Sequence, residues 1–409
     1  MTENTVMHSG SPAPAFDFDT PIERRGTGSI KWDVKEGELP MWVADMDFRT
    51  APAVCEAAAK VAAHGIYGYT DVDDAWHEAY SAWWTARHGW PLSPDWLVFT
   101  TGVIPAVSTA VRRLTAPAEK VAVLTPVYNI FFNCIMNNGR VPYEVSLSCS
   151  RREGKRFYAI DFDALEEALA DPQTSLLLFC NPHNPVGKIW DRETLAMVGA
   201  LCEKHGVTVL SDEIHCDVAR PGKAYVPFAS VNEVNAKITV TCVAPTKAFN
   251  CAGMHTAAVV CEDPVLRHRM RRALNTDEVG EPGAFAVPVA VAAFTEGGEW
   301  LDAMNEYVFA NRAFAEAYIA ERIPGLEAVP ADATYLLWIS VGAILGEGED
   351  SAAFCRFLRE KTGLWLSPGT QYRGDGAGFV RLNAACPRSR LEDGMDRLRR
   401  GAALWSART

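Results

Sequence analysis

The sequence predicts an α/β protein in which a mainly parallel sheet is flanked by helices and is followed by a smaller α+β domain. Short β-branched runs alternate with helical patterns from Trp96 to about residue 260. Polar or glycine residues follow these runs, and the pattern changes character after about residue 290. Alternation of this kind is typical of parallel strands joined by helices. Ligands bind such sheets at the carboxyl ends of the strands.

The alternating region contains six strand candidates and four helix candidates. Strands are predicted at residues 97–100, 121–124, 176–179, 207–210, 238–243 and 257–260. Helices are predicted at residues 104–114, 131–137, 162–170 and 193–205. Asp161 and Asp191 precede the last two helices and are expected to cap them.

The rest of the chain suggests how the domains are divided. We expect a loose arm at residues 1–15, a segment at 16–48 that packs with the small domain, a large domain at 49–289 and a small domain at 290–409. Further helices are predicted at residues 52–63, 73–88, 287–294 and 300–321, and strands at 334–339 and 378–383.

Bulk composition excludes several classes of protein. The 409 residues are 48% hydrophobic and 22% charged, as in ordinary globular proteins. The net charge of −12 disfavours binding to nucleic acid or to anionic membranes. The eleven cysteines contain no CxxC pair, which favours a reducing compartment over a disulfide framework or a zinc ribbon. With no signal-peptide pattern and no membrane-spanning stretch, the expectation is a soluble cytoplasmic protein without a metal site.

Lys247 and Asp212 carry the main chemical signal. Lys247 follows an apolar run, where a lysine loses its proton more easily than on a solvated face. Asp212 ends a separate β-branched run. Either residue alone fits an ordinary loop or surface position. Together, at two strand ends, they match the needs of pyridoxal phosphate: an amine for its aldehyde and an acid for its ring nitrogen.

Three further strand ends add weaker signals. Gly102 and Val103 start a helix and can bind an anion, although a plain strand-to-helix turn is the more common explanation of such a pair. Tyr128 can stack on a planar ring or fill core. Asn181 can donate to a ring oxygen or serve as an Asn-Pro turn residue. Because all five segments fall on one edge of the predicted sheet, the set is more specific than its members.

Two further roles, one in proton transfer and one in substrate binding, complete this hypothesis. Lys247, once freed from the cofactor, is the natural base for the substrate's Cα proton. Arg381 follows a β-branched run in the second domain, and its planar fork suits a substrate carboxylate. A surface ion pair is the alternative for Arg381.

Seven short stretches give the chain a specific resemblance. They lie at residues 29–33, 40–48, 68–70, 181–187, 211–215, 245–250 and 381–383. The chain resembles fold-type I pyridoxal-phosphate enzymes of the aminotransferase class I/II superfamily, which implies a seven-stranded sheet. More narrowly it resembles the cystathionine β-lyase and cysteine-S-conjugate β-lyase branch, the cystalysin-like enzymes.

The resemblance implies a role for each candidate residue. Lys247, Asp212 and Tyr128 would be catalytic, and Arg381 and Ala44 would bind the substrate. Tyr69 would reach the phosphate of the neighbouring subunit, which implies a homodimer with shared sites. The implied cofactor-binding residues are Gly102, Val103, Tyr128, Asn181, Asp212, His215, Thr246, Lys247 and Tyr69.

The chain also departs from its relatives. His255 stands eight residues after Lys247, where many members of the superfamily carry a phosphate-binding arginine. Asn129 replaces a second tyrosine found in some lyases, and residues 278–283 are acidic and glycine-rich without a counterpart. These differences concern the substrate more than the cofactor.

Three functions compete at this point. The leading hypothesis is a carbon–sulfur β-lyase that releases a thiol, pyruvate and ammonia. An aminotransferase uses the same constellation of residues. A regulator acting through protein contacts is the third, and the negative charge with no added helix-turn-helix disfavours one that binds DNA.

Overall fold

The computed structural model of the protein describes residues 16–408. The arm predicted at residues 1–15 lies outside the described residues. Strands β1 to β15 run, in order, over Leu39–Pro40, Leu97–Thr100, Lys120–Thr125, Val141–Ser146, Ser148–Arg152, Lys155–Ala159, Thr174–Cys180, Thr208–Asp212, Thr239–Val243, Ala257–Val260, Glu327–Ala328, Leu336–Ser340, Leu364–Trp365, Ser367–Pro368 and Phe379–Asn383.

The α-helices surround these strands. Helices α1 to α12 run over Pro52–His64, Asp74–His88, Val103–Leu114, Ile130–Met136, Phe162–Ala170, Arg192–Lys204, Glu233–Ile238, Pro264–Thr276, Ala286–Glu296, Gly298–Arg322, Ser351–Thr362 and Arg388–Ser406. Within residues 16–408, none of them combines the length and apolar character needed to cross a membrane.

The large sheet has seven strands in the order β2-β10-β9-β8-β7-β3-β4. Strand β10 is antiparallel to both of its neighbours, and the other pairings are parallel. The predicted fold class is therefore confirmed. All six predicted strands are present with shifts of one or two residues at their ends.

Strand β7 shows why these runs are continuously apolar. Leu176 and Leu178 pack into the core cluster under α3 and α8, whereas Leu177 and Phe179 pack into the cluster under α5 and α6. Successive side chains of a strand point to opposite faces, so a strand covered on both faces needs apolar residues throughout.

The helix predictions are confirmed in the same region. The Asp161 carboxylate accepts a hydrogen bond from the Ala164 amide at 3.1 Å, and Asp191 accepts one from Thr194 at 2.7 Å. These are the two predicted caps. Helices α8, α11 and α12 and the β5–β6 hairpin were not predicted.

A four-stranded sheet, β11-β12-β15-β14, forms the centre of the C-terminal part. Strand β1, from the N-terminal segment, pairs with β13 of the same part. The N-terminal segment therefore packs with the C-terminal elements, although it precedes the large sheet in the chain.

Residues 41–48, which we call the strap, connect the two parts of the molecule. The Asn383 amide donates to the Met41 carbonyl at 2.9 Å, and the Asn250 side chain accepts from the Met46 amide at 2.9 Å. Within the strap, buried Asp47 lies 3.0 Å from the Lys31 ammonium and accepts from the Trp32 indole at 2.7 Å. The strap is thus held from both sides, and it passes directly beside Lys247.

Candidate active site

Segments from several strand ends meet around one cavity of about 240 Å³. It is somewhat smaller than most pockets for organic ligands, roughly 300–1,000 Å³, and suits a compact molecule. Eight of the predicted site residues line it: Ala44, Gly102, Val103, Tyr128, Asp212, His215, Thr246 and Lys247. Each of the five strand-end segments that were expected to share one edge of the sheet contributes to this cavity, the segment after β7 through Cys180 and Asn184.

Lys247 follows β9, whose end lies beside the end of β8. Its ammonium donates a hydrogen bond to the Ala44 carbonyl of the strap at 2.6 Å. Burial lowers the pKa of Lys247 to about 8; Arg381 pushes in the same direction, while Asp45 and Asp212 oppose the shift. A substantial fraction of the amine is therefore neutral, and nucleophilic, near physiological pH.

Asp212 is the last residue of β8, and its Cα is paired in register with Cys242 of β9. Its carboxylate is buried and accepts a hydrogen bond from the Ile214 amide at 3.1 Å. Burial raises the pKa of Asp212 to about 6, although the Ile214 amide and Lys247 hold it down. The group is mostly ionised at neutral pH, and a cation placed against it would lower its pKa further.

His215 offers an unpaired nitrogen at the cavity wall. Its Nδ1 is buried and has no hydrogen-bond partner within residues 16–408. Burial lowers the pKa of His215 to about 3, and the positive charges of Lys247 and Arg381 add to the effect. The imidazole is therefore neutral. A buried polar atom without a partner favours contact with a bound molecule.

The N-terminus of α3 gives the cavity wall a place that suits an anion. Gly102 caps this helix, and Val103, Ile104 and Thr246 also line the cavity. The first amides of a helix have no partner inside the helix, and its dipole is positive there. A phosphate group bound at this end would meet amide donors and a hydroxyl.

Tyr128 lines the same cavity. Burial raises the pKa of its phenol to about 12. The ring makes an edge-on contact with Phe131 at 5.7 Å between centroids. It is thus a neutral aromatic wall of fixed orientation, suited to contact with a planar ligand.

The Asn181 prediction requires correction. The side-chain amide of Asn181 donates to the Val226 carbonyl at 3.0 Å, and Asn181 does not line the cavity. Asn184, three residues later and also followed by proline, lines the cavity instead. Just past the end of β7, the Asn181 backbone amide donates to the Asp212 carbonyl of β8 at 3.0 Å, and the Asn181 side chain is buried away from the cavity. The chain then turns, and Asn184 reaches the cavity wall.

Arg381 is linked to the cavity by a hydrogen bond to Asn184. It is buried on β15, where it donates to the Asn184 side-chain oxygen at 3.1 Å and to the Trp42 carbonyl at 2.9 Å. Its Nε is buried without a partner within the described chain. Arg381 does not itself line the cavity, but it is fixed at its border with one donor unused.

Tyr69 does not line the cavity of its own chain. Its side chain is fully exposed, and Ile66 and Tyr67 beside it are also exposed. Apolar and aromatic residues that cluster on a surface favour contact with another molecule.

Comparison with known proteins then decides the family. The sequence matches the family described as aminotransferase class I and II over residues 39–398. The chain belongs to this family.

Individual members of the family are similar over nearly their whole length. Cystathionine β-lyase PatB of Bacillus subtilis (strain 168) is 41% identical over 391 residues, covering 94% of this chain and 99% of that protein. Protein MalY of Escherichia coli (strain K12) is 32% identical, covering 93% and 97%. The crystal structure of cystalysin from Treponema denticola, which contains pyridoxal 5′-phosphate, has a TM-score of 0.88 and 33% identity, covering 94% and 98%.

Sequence reasoning missed further residues of this aminotransferase-family site. Tyr335, on the segment before β12, donates its hydroxyl to the same Ala44 carbonyl that accepts from Lys247, at 3.1 Å. The Asp45 carboxylate contributes to the charge balance around Lys247. Asp45 lies in the 40–48 stretch that carried the resemblance, so a signal existed, whereas nothing local marked Tyr335.

A hydrogen-bonded turn supports the site from behind. Asp217, two residues after His215, accepts from the Trp83 indole at 3.0 Å and from His88 at 2.9 Å. His88, Cys216 and Asp217 also place potential metal-ligand atoms within 4.8 Å of one another. Because the Asp217 carboxylate already has these donors, the cluster is explained as support for the turn that carries His215.

Proposed function

We propose that the protein is a pyridoxal-phosphate-dependent carbon–sulfur β-lyase that cleaves cystathionine or a related cysteine S-conjugate to a thiol, pyruvate and ammonia. The observation that carries this proposal is the pair Lys247 and Asp212, which face one cavity from adjacent strand ends. The similarity to a cystathionine β-lyase over nearly the full chain supports the choice of reaction.

The residues present fit pyridoxal phosphate. Lys247 would bind its aldehyde, Asp212 its ring nitrogen and Asn184 its ring oxygen, with Tyr128 against the ring. Gly102, Val103 and Thr246 would hold the phosphate. When bound, the cofactor supplies an electron sink that stabilises negative charge at the substrate's Cα.

Lys247 is the residue we assign to proton transfer. With the cofactor bound, the Nζ of Lys247 would take the proton from the substrate's Cα and would donate a proton to the departing sulfur. A base works best when its pKa is near the working pH, and the value of about 8 meets this condition. Asp212 contributes by keeping a negative charge against the ring nitrogen.

The pKa of Lys247 gives a pH prediction. Capture of the cofactor needs the neutral amine. At one pH unit below the pKa, roughly one-tenth of the lysine is neutral, and at one unit above the pKa, roughly nine-tenths is neutral. The rate at which apo-protein binds pyridoxal phosphate covalently should therefore rise between about pH 7 and 9. Stopped-flow absorbance across this range measures it. A midpoint near 10.5, the ordinary value for lysine, would contradict the account.

Arg381 is proposed to bind the substrate carboxylate from the small domain. Arg381→Lys keeps the charge but loses the fork that also holds Asn184 and Trp42. We expect KM for cystathionine to rise about tenfold or more, since charge-assisted hydrogen bonds contribute about 1.5–3 kcal/mol. Steady-state kinetics test this, with the exposed Arg271→Lys as the control. Unchanged KM in Arg381→Lys would exclude the role.

We also propose a homodimer in which Tyr69 completes the partner's phosphate site. Its full exposure, together with exposed Ile66 and Tyr67, supports an interface at this surface. Tyr69→Phe should keep the dimer and weaken cofactor affinity by several-fold, because one hydrogen bond contributes about 1 kcal/mol. Sedimentation and a cofactor titration measure the two effects separately. A fully active monomer would refute the arrangement.

The state of the cysteines indicates the type of compartment in which the protein functions. All eleven are unpaired. Unpaired thiols are typical of reducing compartments, and we propose a cytoplasmic location.

The lyase proposal is tested by product analysis. Purified holoenzyme is incubated with cystathionine, and pyruvate, ammonia and free thiol are measured against the Lys247→Ala variant. Equal amounts of the three products are expected. If turnover instead requires a keto-acid acceptor and yields no thiol, the protein is an aminotransferase, which the same residues could also support.

A further inference from the structure

A second cavity, of about 900 Å³, shares none of its lining residues with the catalytic cavity within residues 16–408. We call it the basic cleft. It lies between the β5–β6 hairpin, the C-terminal half of α10, residues 326–332 and the turns at 186–188 and 220–223. Its volume is within the range of small-molecule sites.

The walls of the basic cleft carry more positive than negative side chains. Three acidic residues line it, and each is already paired: Glu327 with Arg156 at 3.3 Å, Asp332 with Lys223 at 3.1 Å and Glu316 with Arg312 at 3.5 Å. Each of these acids therefore already has a cation in direct contact, among Arg156, Lys223 and Arg312.

Four cations of the cleft are left without a carboxylate partner. They are Arg152, Lys155, Lys188 and Arg220. Within residues 16–408, none of them has a carboxylate oxygen within 4.0 Å. The chain as a whole carries a net charge of −12, so this concentration of positive charge runs against the composition of the protein.

Phe157 brings two of these cations together. The Lys188 ammonium lies 4.3 Å from the ring centroid, and the Arg152 guanidinium lies 4.0 Å from it. Lys188 is half-buried, and burial lowers its pKa, while the more distant carboxylates of Asp332 and Asp191 oppose the shift. A partly buried ammonium with no carboxylate in direct contact costs stability, and contact with an aromatic ring offsets only part of that cost. An anionic ligand would offset more of it.

The floor of the basic cleft is apolar. Ile319, Leu326 and Val329 are buried there, and Phe157 forms part of the wall. Inorganic anions are strongly hydrated and gain little from such a floor. An apolar floor beneath several cations favours an anion that also carries a planar or apolar group.

We propose that the basic cleft binds a small organic polyanion with a planar group, its charges held by Arg152, Lys155, Lys188 and Arg220. This site is separate from catalysis. The two cavities are close along the chain: Lys188 is four residues from Asn184, and the Gly187 carbonyl between them accepts from the Asp332 amide at 2.8 Å. The charges of the ligand are carboxylates or phosphates.

Calorimetric titration of the holoenzyme tests the proposal. The catalytic site is kept saturated with pyridoxal phosphate, and the probes are benzene-1,3,5-tricarboxylate, ADP and the non-planar citrate. At least one planar probe should bind, more tightly than citrate, and binding should weaken as salt is added. If only the tricarboxylate binds, the ligand carries carboxylates. If only ADP binds, the ligand carries phosphates. If both bind, the site recognises negative charge and planarity without distinguishing the two groups.

Variants locate the binding. Lys188→Gln and the exposed Lys155→Gln should each lower the affinity about fivefold to tenfold, whereas Arg271→Gln on exposed α8 should bind like the wild type. Thermal unfolding checks that each variant is folded. The proposal is overturned if neither planar probe binds, if citrate binds as tightly as the tricarboxylate, or if both lysine variants keep wild-type affinity. Because binding and not turnover is measured, the result is independent of the proposed lyase activity.

Discussion

Replacing Lys247 with alanine is expected to abolish lyase turnover and to remove the covalent bond to the cofactor. The substitution deletes the amine that lies in the cavity and donates to the Ala44 carbonyl. Loss of a general base alone slows a reaction by about 10²–10⁴-fold, and loss of covalent cofactor capture adds to this. Borohydride reduction followed by peptide mass analysis should find the cofactor on the Lys247 peptide of the wild type and on no peptide of the variant.

A matched control separates this effect from general damage. Lys237 is an exposed lysine on α7, and Lys237→Ala should keep both activity and label. Label on a different lysine in the Lys247→Ala variant would show that the reactive amine was assigned wrongly.

Asp212→Asn is expected to have the second largest effect. The change keeps the shape of the side chain but removes the buried charge that would hold a proton on the ring nitrogen of the cofactor. We expect kcat to fall by about a hundredfold, since one such electrostatic contact contributes about 3 kcal/mol. The cofactor should remain bound, because Lys247 is intact.

Steady-state kinetics with cystathionine measure the loss, and absorbance of the bound cofactor confirms that the site is loaded. Asp191→Asn is the control, because the Asp191 carboxylate caps α6 and does not line the cavity. It should have little effect on kcat. Equal kcat in wild type and Asp212→Asn would rule out the proposed role.

The central strands could be predicted because a strand that is covered on both faces has an apolar sequence that is easy to recognise. β7 contains the apolar run 176–179 and is followed by Asn181, and β8 contains Val209 and Leu210 and ends in Asp212. Edge strand β4 was missed because it has one buried residue among six and includes Pro142. Edge strands tolerate proline and polar residues, so they resemble loops.

The candidate site was predictable where strand ends determine position. The positions of Asp212 and Lys247 could be predicted because they lie at or shortly after the ends of the neighbouring strands β8 and β9. The choice between Asn181 and Asn184 was not predictable in the same way, because both precede proline and only the path of the turn decides which side chain faces the cavity. Ala44 was marked by the resemblance of residues 40–48. Its hydrogen bonds to Lys247 and Tyr335 could not be predicted, because the bonded residues are 203 and 291 positions apart in the chain.

One measurement tests the central claim most directly: a single-turnover reaction of the holoenzyme with cystathionine in the absence of any keto acid. The account predicts that pyruvate and thiol appear in amounts equal to the active sites, while the cofactor returns to its aldehyde form on Lys247. Accumulation of the amine form of the cofactor, with no pyruvate or thiol released, would contradict the lyase assignment and show that the protein is an aminotransferase.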